Sequence, residues 1–182
     1  MSRKHQQLIR DARRGDEDAL LRLFDEHHAP LFRFAWRLTG SIADAEDIVQ
    51  ECFLALLNPD CRFDPARTAI RTYLFGAVRN QSLKRLRQLR NDVPWQTAND
   101  HTPEKEVLRG EVAGAVASAI AQLPDTQREI LLLAHYEQMS LAEIAEITQL
   151  EITAVKSRLQ RARASLRETL AAYAPRIERT II

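Results

Sequence analysis

Apolar residues recur along this sequence at intervals of three and four, the period of an amphipathic helix, and no segment of useful length alternates as a strand would. A short first helix is predicted to end at Gly15, and Asp16 is placed to cap the next one. Over residues 16–39 the apolar positions form two groups, and Pro30 between them fits a helix start or a kink. The pattern predicts an all-α fold.

Two longer helical patterns follow. Ser41, with Asp44 three residues later, predicts a helix start that leads into a single apolar stripe. The sequence Asn58-Pro59-Asp60 would end this helix, and a loop rich in Arg, Asp and Pro follows it. The next helix is predicted over residues 69–90.

The composition then changes and indicates a domain boundary. The stretch from Asn91 to Thr102 is polar, acidic and aperiodic, as expected of a flexible linker. Thr102-Pro103-Glu104 predicts a new helix start, Leu123-Pro124 ends that helix, and another is predicted from about Asp125 to Tyr136.

We therefore expect two small helical domains. The first spans residues 16–90 and is preceded by a helix in residues 1–15. The linker occupies residues 91–110. The second domain spans residues 111–172 and is followed by a tail, residues 173–182, that looks frayed.

Two helices near the end of the second domain predict a helix-turn-helix at about residues 140–160. Ser140 with Glu143 is a capping box, in which the hydroxyl accepts from a helix amide and the carboxylate reaches back. Thr153 is predicted to be the N-cap of the second helix. The buried positions of that helix are predicted to be Val155, Leu159, Ala162 and Leu166.

The exposed face of the second helix is cationic, and residues 153–167 contain no acid. Arg and Lys at the end of such a helix suit the DNA major groove, where they meet guanine edges and phosphates. The alternative is the solvated face of an ordinary helical bundle. The capping box, the short turn and the exclusively positive charge of the second helix together favour DNA binding. The cations are Lys156, Arg158, Arg161, Arg163 and Arg167.

Composition indicates a protein of the reducing cytoplasm. Two cysteines cannot build a disulfide framework, and neither a signal-peptide pattern nor an apolar run of membrane-spanning length is present. Cys52 is predicted to be a small buried hydrophobe, whereas Cys61 lies in the loop. The five histidines are scattered, so surface or core positions are favoured over metal ligation. We expect no cofactor, metal or small-molecule substrate.

The net charge of +1 hides blocks of opposite sign. Residues 40–60 carry five acids and no base, whereas residues 62–90 carry eight bases and a single acid, Asp64. Such blocks suggest two partners, one cationic and one polyanionic. Charge runs are also common on ordinary solvated faces.

The acidic block places Asp47 and Glu51 on one helix face, with Asp44 and Gln50 beside them. Paired catalytic acids would need a set of metal ligands, or a histidine spaced so that it could act together with the acids. The sequence supplies neither. Docking of a basic partner fits better. A solvated face remains the rival interpretation.

The basic block combines cations, aromatics and amide or hydroxyl groups around one loop and helix. Single-stranded nucleic acid is held in this manner, by backbone charge, base stacking and edge contacts. Taken singly, Phe63 and Tyr73 are better explained as core residues.

Several motifs in order resemble the extracytoplasmic-function (ECF) sigma factors, small two-domain members of the bacterial sigma-70 family of transcription initiation factors. The resemblance spans about residues 16–170. Motifs similar to region 2 are Leu31-Phe-Arg-Phe-Ala-Trp-Arg-Leu-Thr-Gly40, Asp44-Ala-Glu-Asp-Ile-Val-Gln-Glu51, Thr72-Tyr-Leu-Phe and Arg79-Asn80. Motifs similar to region 4 are Leu123-Pro124, Gln127-Arg-Glu129, Val155-Lys-Ser-Arg158 and Arg161-Ala-Arg163.

The resemblance implies roles for each patch. The acidic helix would dock on the clamp helices of the largest subunit of RNA polymerase core; its residues are Asp44, Glu46, Asp47, Gln50 and Glu51. The loop and following helix would open the minus-ten element and hold a flipped base; the residues assigned are Arg62, Phe63, Asp64, Thr68, Arg71, Tyr73, Arg79, Asn80 and Lys84. The minus-thirty-five element would be read by Lys156, Ser157, Gln160 and Arg161, with Arg158 and Arg163 as phosphate or packing contacts.

The resemblance also implies further partners: promoter DNA, the polymerase beta flap and an anti-sigma factor. Four residues depart from those usual in the family. Gln149 stands where the helix-helix turn often has Gly, Thr153-Ala154 where a Gly-Thr pair is frequent, and Tyr73 where Trp is common.

Two functions from different classes are compatible with these patterns. The first is a sigma factor that binds polymerase core and directs it to promoters, with no active site of its own. The second is an autonomous helix-turn-helix regulator whose first domain senses a ligand or dimerises. An acidic docking helix beside a basic melting helix favours the sigma factor. An enzyme is third, because no nucleophile, phosphate loop or metal spacing is present.

Overall fold

The computed structural model describes residues 3–58, 61, 63–64, 67–92 and 111–173. Within these ranges every regular element is helical, which confirms the predicted all-α fold. The chain divides into two compact units, and the division falls between the fourth and fifth helices. The helices are α1 (Arg3–Arg13), α2 (Glu17–Thr39), α3 (Ile42–Leu57), α4 (Ile70–Asp92), α5 (Glu111–Ala121), α6 (Asp125–His135), α7 (Leu141–Thr148) and α8 (Ile152–Thr169), and a 3₁₀ turn, Ala171–Tyr173, follows α8.

The first unit is a bundle in which α2, α3 and α4 pack against one another and α1 lies against α2 and α3. Two aromatic pairs cross the bundle: Phe24 and Phe53 join α2 to α3 with ring centroids 5.2 Å apart, and Phe34 and Phe75 join α2 to α4 at 5.3 Å. Cys52 is buried on the inner face of α3, as predicted. The apolar stripes of α2, α3 and α4 thus form one core.

Short polar residues set the helix starts in the first unit. The Asp16 carboxylate accepts from the Ala19 amide at 3.1 Å, and the Ser41 hydroxyl accepts from the Asp44 amide at 3.2 Å. Both caps were predicted and are confirmed. The helix α2 runs continuously through Pro30, so the two predicted halves form one helix.

The second unit is organised around α8, against which α5, α6 and the 3₁₀ turn pack. The capping box at the start of α7 is present: the Ser140 amide donates to Glu143 at 2.8 Å, and the Ser140 hydroxyl accepts from the Glu143 amide. The predicted helix start at Thr102-Pro103-Glu104 and most of the predicted linker lie outside the described residues. Asn91 and Asp92 extend α4 instead of beginning the linker.

The turn between α7 and α8 differs from the prediction at its second end. Gln149 adopts a left-handed conformation with φ +56° and ends α7. The helix α8 then begins at Ile152, with Glu151 at the N-cap position and no side-chain cap. The prediction that Thr153 is the N-cap is therefore wrong, because Thr153 is already the second residue of α8.

Candidate protein and nucleic-acid interfaces

The acidic residues of α3 and the basic residues of α4 face each other across a shallow groove in the first unit. We call this the α3–α4 groove. Its lining residues are Asp44, Asp47, Ile48 and Glu51 from α3, and Gln81, Lys84, Arg85 and Gln88 from α4. Spacings of three and four residues place each set on one side of its helix.

One ion pair spans the groove. Arg85 reaches Asp44 through two nitrogens, with Nε 2.8 Å and Nη2 2.7 Å from the same carboxylate oxygen. This hydrogen bond, with the neighbouring acids, raises the pKa of the Arg85 guanidinium. The Asp44 side chain is only 14 % exposed, whereas Asp47 and Glu51 are exposed. Asp44 is therefore paired with Arg85 of the same chain, whereas Asp47 and Glu51 present their charge to solvent.

Glu46 and Gln50, which the sequence placed in the same acidic set, are exposed on α3 but do not line the groove. Lys84, which the sequence placed with the DNA-melting residues, does line it. Sequence analysis missed Arg85, Gln81 and Gln88. Their spacing of three and four residues on α4 could have shown that they share one helix face with Lys84. The sequence analysis instead grouped charges into blocks along the chain, and it therefore assigned the acids and the bases to separate surfaces.

The loop before α4 forms a second cluster. Phe63 is 5 % exposed and packs on Tyr73 with ring centroids 4.7 Å apart. The Cys61 thiol and the Tyr73 hydroxyl are 3.3 Å apart. Burial raises the pKa of Tyr73 to about 12, and the hydrogen bond with Cys61 acts in the same direction. Phe63 is therefore a core residue here, and the half-buried Tyr73 ring is the aromatic that borders solvent.

The remaining residues of this set lie around the loop and along α4. Arg71 is stacked over the Phe75 ring at 5.6 Å, and Arg79 donates to the Asn80 side-chain oxygen at 3.1 Å. Asn80 and Asp64 are exposed, and Thr68 is half-buried. Arg62 lies outside the described residues.

The outer face of α8 carries four of the five predicted cations. Lys156, Ser157, Gln160 and Arg161 are all exposed, and we call them the α8 stripe. The Arg161 guanidinium reaches back to the Ser157 hydroxyl at 3.4 Å. Val155, Leu159 and Ala162 are buried on the opposite face, as predicted, and Leu166 is half-buried.

Of the three other arginines of α8, Arg167 is exposed, and Arg158 and Arg163 are placed differently from the stripe. Arg158 is half-buried, and Arg163 is exposed with its Nε donating to His135 Nε2 at 3.3 Å. That contact ties the outer part of α8 to the end of α6.

The segment Gln127-Arg-Glu129 has a structural role that sequence analysis did not assign. Arg128 is buried and donates to the carbonyls of Ala121 and Leu123, the latter at 2.9 Å. These are carbonyls at the end of α5 and in the turn that follows, which a helix terminus leaves without intrahelical partners. The Glu129 side chain is also fully buried.

Metal-binding clusters and helices of membrane-spanning length are both absent from the part of the chain that the structure describes. No group of three or more His, Cys, Asp or Glu side chains is placed to hold a metal there. Over the same residues, no helix is long and apolar enough to cross a bilayer.

Comparison with known families matches both units. The family model described as Sigma-70 region 2 matches residues 23–91, and the model described as Sigma-70, region 4 matches residues 113–166. The ECF RNA polymerase sigma factor SigL of Mycobacterium tuberculosis H37Rv is 41 % identical over 162 residues, which cover 85 % of this chain and 90 % of SigL. SigW of Bacillus subtilis is 29 % identical over 178 residues, covering 89 % of this chain and 94 % of SigW.

Two solved structures are similar to most of this chain. CnrH, determined in complex with the cytosolic domain of CnrY, has a TM-score of 0.67 and 27 % identity over 91 % of this chain and 96 % of CnrH. RpoE of Bartonella quintana, determined with the anti-sigma factor NepR, has a TM-score of 0.62 and 26 % identity over 85 % of this chain and 96 % of RpoE.

Proposed function

This chain belongs to the ECF sigma factors of the sigma-70 family and directs RNA polymerase to promoters, and from this premise we propose which of its surfaces does each part of that work. Sigma factors bind polymerase core and lend it sequence recognition. They are not enzymes, so the site residues act by contact and by charge.

We assign polymerase docking to the exposed polar face of α3. The observation that carries this assignment is the exposure of Asp47 and Glu51 on a helix whose opposite face is buried in the core. Glu46 and Gln50 extend the surface on the same helix. Asp44 acts indirectly, by holding Arg85 at the groove. Exposed carboxylates accelerate association with a cationic surface and fix its register, which suits the clamp helices of the largest subunit.

We assign minus-ten recognition to the loop and the exposed side of α4. Tyr73 and Asn80 supply a ring edge and an amide, and Arg71 and Arg79 supply charge for the backbone. Support comes from their clustering on one helix and the loop before it. Phe63 contributes by packing under Tyr73, and Lys84 by its place in the α3–α4 groove. Asp64, Thr68 and Arg62 belong to the same loop.

We assign minus-thirty-five recognition to the α8 stripe. A helix-turn-helix places its second helix in the major groove, where arginine and lysine meet guanine and serine or glutamine meet other base edges. The half-buried Arg158 is a packing residue in this proposal, and Arg163 is a phosphate contact oriented by His135. The beta flap is the proposed polymerase contact of this second unit.

We also propose that an anti-sigma protein binds this chain. The support is the likeness to RpoE, whose solved structure contains the anti-sigma factor NepR, and to CnrH, whose structure contains a domain of CnrY. Such a partner is expected to compete with polymerase core for α3.

Core binding by charge-changed variants tests the docking assignment. The double variant Asp47→Asn/Glu51→Gln removes both charges at similar volume, so the fold should be retained. We expect its affinity for polymerase core to fall on the order of tenfold at low salt, and the difference to shrink as salt rises. Asp25→Asn, at an exposed carboxylate on α2, is the matched control. Equal affinity of wild type and the double variant would overturn the assignment.

A further inference from the structure

Thr153 has no capping role, which leaves its side chain without the function that the sequence suggested. The helix α8 starts at Ile152, and the N-cap position belongs to Glu151. Thr153 is exposed, and among the described residues its hydroxyl has no hydrogen-bond partner. A polar, β-branched residue in an exposed first turn is not favoured by helix propensity either, so stability does not explain its presence.

Thr153 lies on the same face of α8 as the α8 stripe. At 100° per residue, Ser157 and Gln160 are within about 40° of Thr153 when viewed down the helix. All three are exposed, whereas Val155 and Leu159 point into the core. Thr153 therefore continues the stripe by one turn toward the N-terminus of α8.

The N-terminal residues of a recognition helix are those that contact base edges. A threonine offers two suitable groups, because its hydroxyl donates or accepts a hydrogen bond and its methyl packs on the C5-methyl of thymine. Thr153 and Arg161 are eight residues apart, or about 12 Å along the helix axis, which is several times the rise of about 3.4 Å of one base pair. The two side chains would thus face different base pairs.

We propose that Thr153 is a specificity-determining residue, which reads one base pair of the minus-thirty-five element that Arg161 does not reach. The proposal rests on the assignment of α8 as the minus-thirty-five reader. Thr153 adds a DNA contact at the N-terminal end of the α8 stripe, at a position where the sequence predicted only a helix cap.

The test is selection from a promoter library. Full-length protein is bound to polymerase core, and the holoenzyme selects from duplex DNA randomised across the minus-thirty-five region. Wild type, Thr153→Ala and Arg161→Ala are compared by the base preferences they recover. Alanine has the higher helix propensity, so Thr153→Ala is expected to fold, and a thermal melt checks this.

We expect Thr153→Ala to reduce discrimination between bases about three- to tenfold at one base pair. This is the contribution to binding of one hydrogen bond or one small apolar contact. Arg161→Ala should lose discrimination at a different base pair. Thr153→Ser retains the preference if the hydroxyl makes the contact, and Thr153→Val retains it if the methyl does. Thr126→Ala is the matched control, because Thr126 is the exposed second residue of α6, and it should select the wild-type sequence.

Two other outcomes overturn the proposal, and they are distinguishable. If Thr153→Ala selects the wild-type sequence while Arg161→Ala does not, α8 reads DNA and Thr153 plays no part. If neither variant changes the preferences of the wild-type holoenzyme in this region, the assignment of α8 itself fails, and the role of Thr153 fails with it.

Discussion

Gln149 lies in the turn of the helix-turn-helix and has a left-handed backbone conformation, which is unfavourable for residues other than glycine. Its φ is +56°, and its amide donates to the Ala145 carbonyl to end α7. A left-handed residue other than Gly costs roughly 1 kcal/mol. We predict that Gln149→Gly raises the free energy of unfolding by about 0.5–1 kcal/mol, measured by urea denaturation, because the gain exceeds the extra entropy of the unfolded chain.

Gln160→Gly is the control for this change. Gln160 lies within α8, so the same substitution there should lower the free energy of unfolding by about 1 kcal/mol. If Gln149→Gly destabilises the protein as much as Gln160→Gly does, the left-handed turn is not under strain.

Cys52 gives the protein a pH-dependent stability. Burial, with a smaller effect of Glu51, raises the pKa of the Cys52 thiol from 9.0 to about 12. Above pH 9 the thiol ionises in the unfolded chain but not in the folded one, so stability is full below pH 9 and falls as pH rises toward 12. We predict that this residue alone removes about 1 kcal/mol between pH 8 and pH 10.

The measurement compares urea midpoints at pH 8 and pH 10. Cys52→Ala should lose about 1 kcal/mol less than wild type over this interval, although it is less stable at both pH values. Val49→Ala truncates a buried, non-titrating side chain of the same helix and should lose as much as wild type. An equal pH dependence in Cys52→Ala and Val49→Ala would contradict the role of the thiol.

At the scale of the helix, two glycines should respond oppositely to the same substitution. A methyl group added at Gly76 or at Gly15 would meet no heavy atom within 4 Å beyond the adjacent residues and, for Gly76, the backbone of its own helix. Gly76 lies inside α4 with ordinary helical geometry, whereas Gly15 has φ +92° in the turn before α2. We predict that Gly76→Ala stabilises the protein by about 0.5–1 kcal/mol and that Gly15→Ala destabilises it by about 1 kcal/mol.

Thermal or urea denaturation of the two variants measures both changes. Because steric room is equal at the two sites, only the backbone conformation distinguishes them. Changes of the same sign would show that helix propensity and φ do not control these positions.

Helix starts were predictable where a short side chain bonds an amide two or three residues away. Asp16, Ser41 and Ser140 satisfy this local rule, and the structure confirms each of them. Thr153 is also a residue type that is common at helix N-caps, but it does not cap α8. The left-handed Gln149 reverses the chain quickly, and α8 therefore begins one residue before Thr153.

The α3–α4 groove could not be predicted in the same way. Asp44 and Arg85 are 41 residues apart, and only the packing of α3 on α4 brings them together. Charge blocks along the sequence suggested two partners of opposite charge, but they could not show that Lys84 and Arg85 border the acids. Likewise, the burial of Phe63 depends on the loop folding back over Tyr73.

At the scale of the whole molecule, two separate units carry the proposed DNA contacts, and the net charge is only +1. Each surface is small, and the chain as a whole has no strong positive field to hold a polyanion. Two linked sites bind tightly only when they are held at the spacing of their targets. We therefore infer that polymerase core supplies the spacing and lowers the ordering cost of binding both elements together.

DNase footprinting of a promoter recovered from the library, with and without polymerase core, tests this account most directly. With core, we predict protection of both the minus-ten and minus-thirty-five elements, which Asp47→Asn/Glu51→Gln should weaken and Asp25→Asn should not. Without core, we predict only weak protection that disappears as salt rises. Tight, sequence-specific protection of both elements by the protein alone would contradict the account.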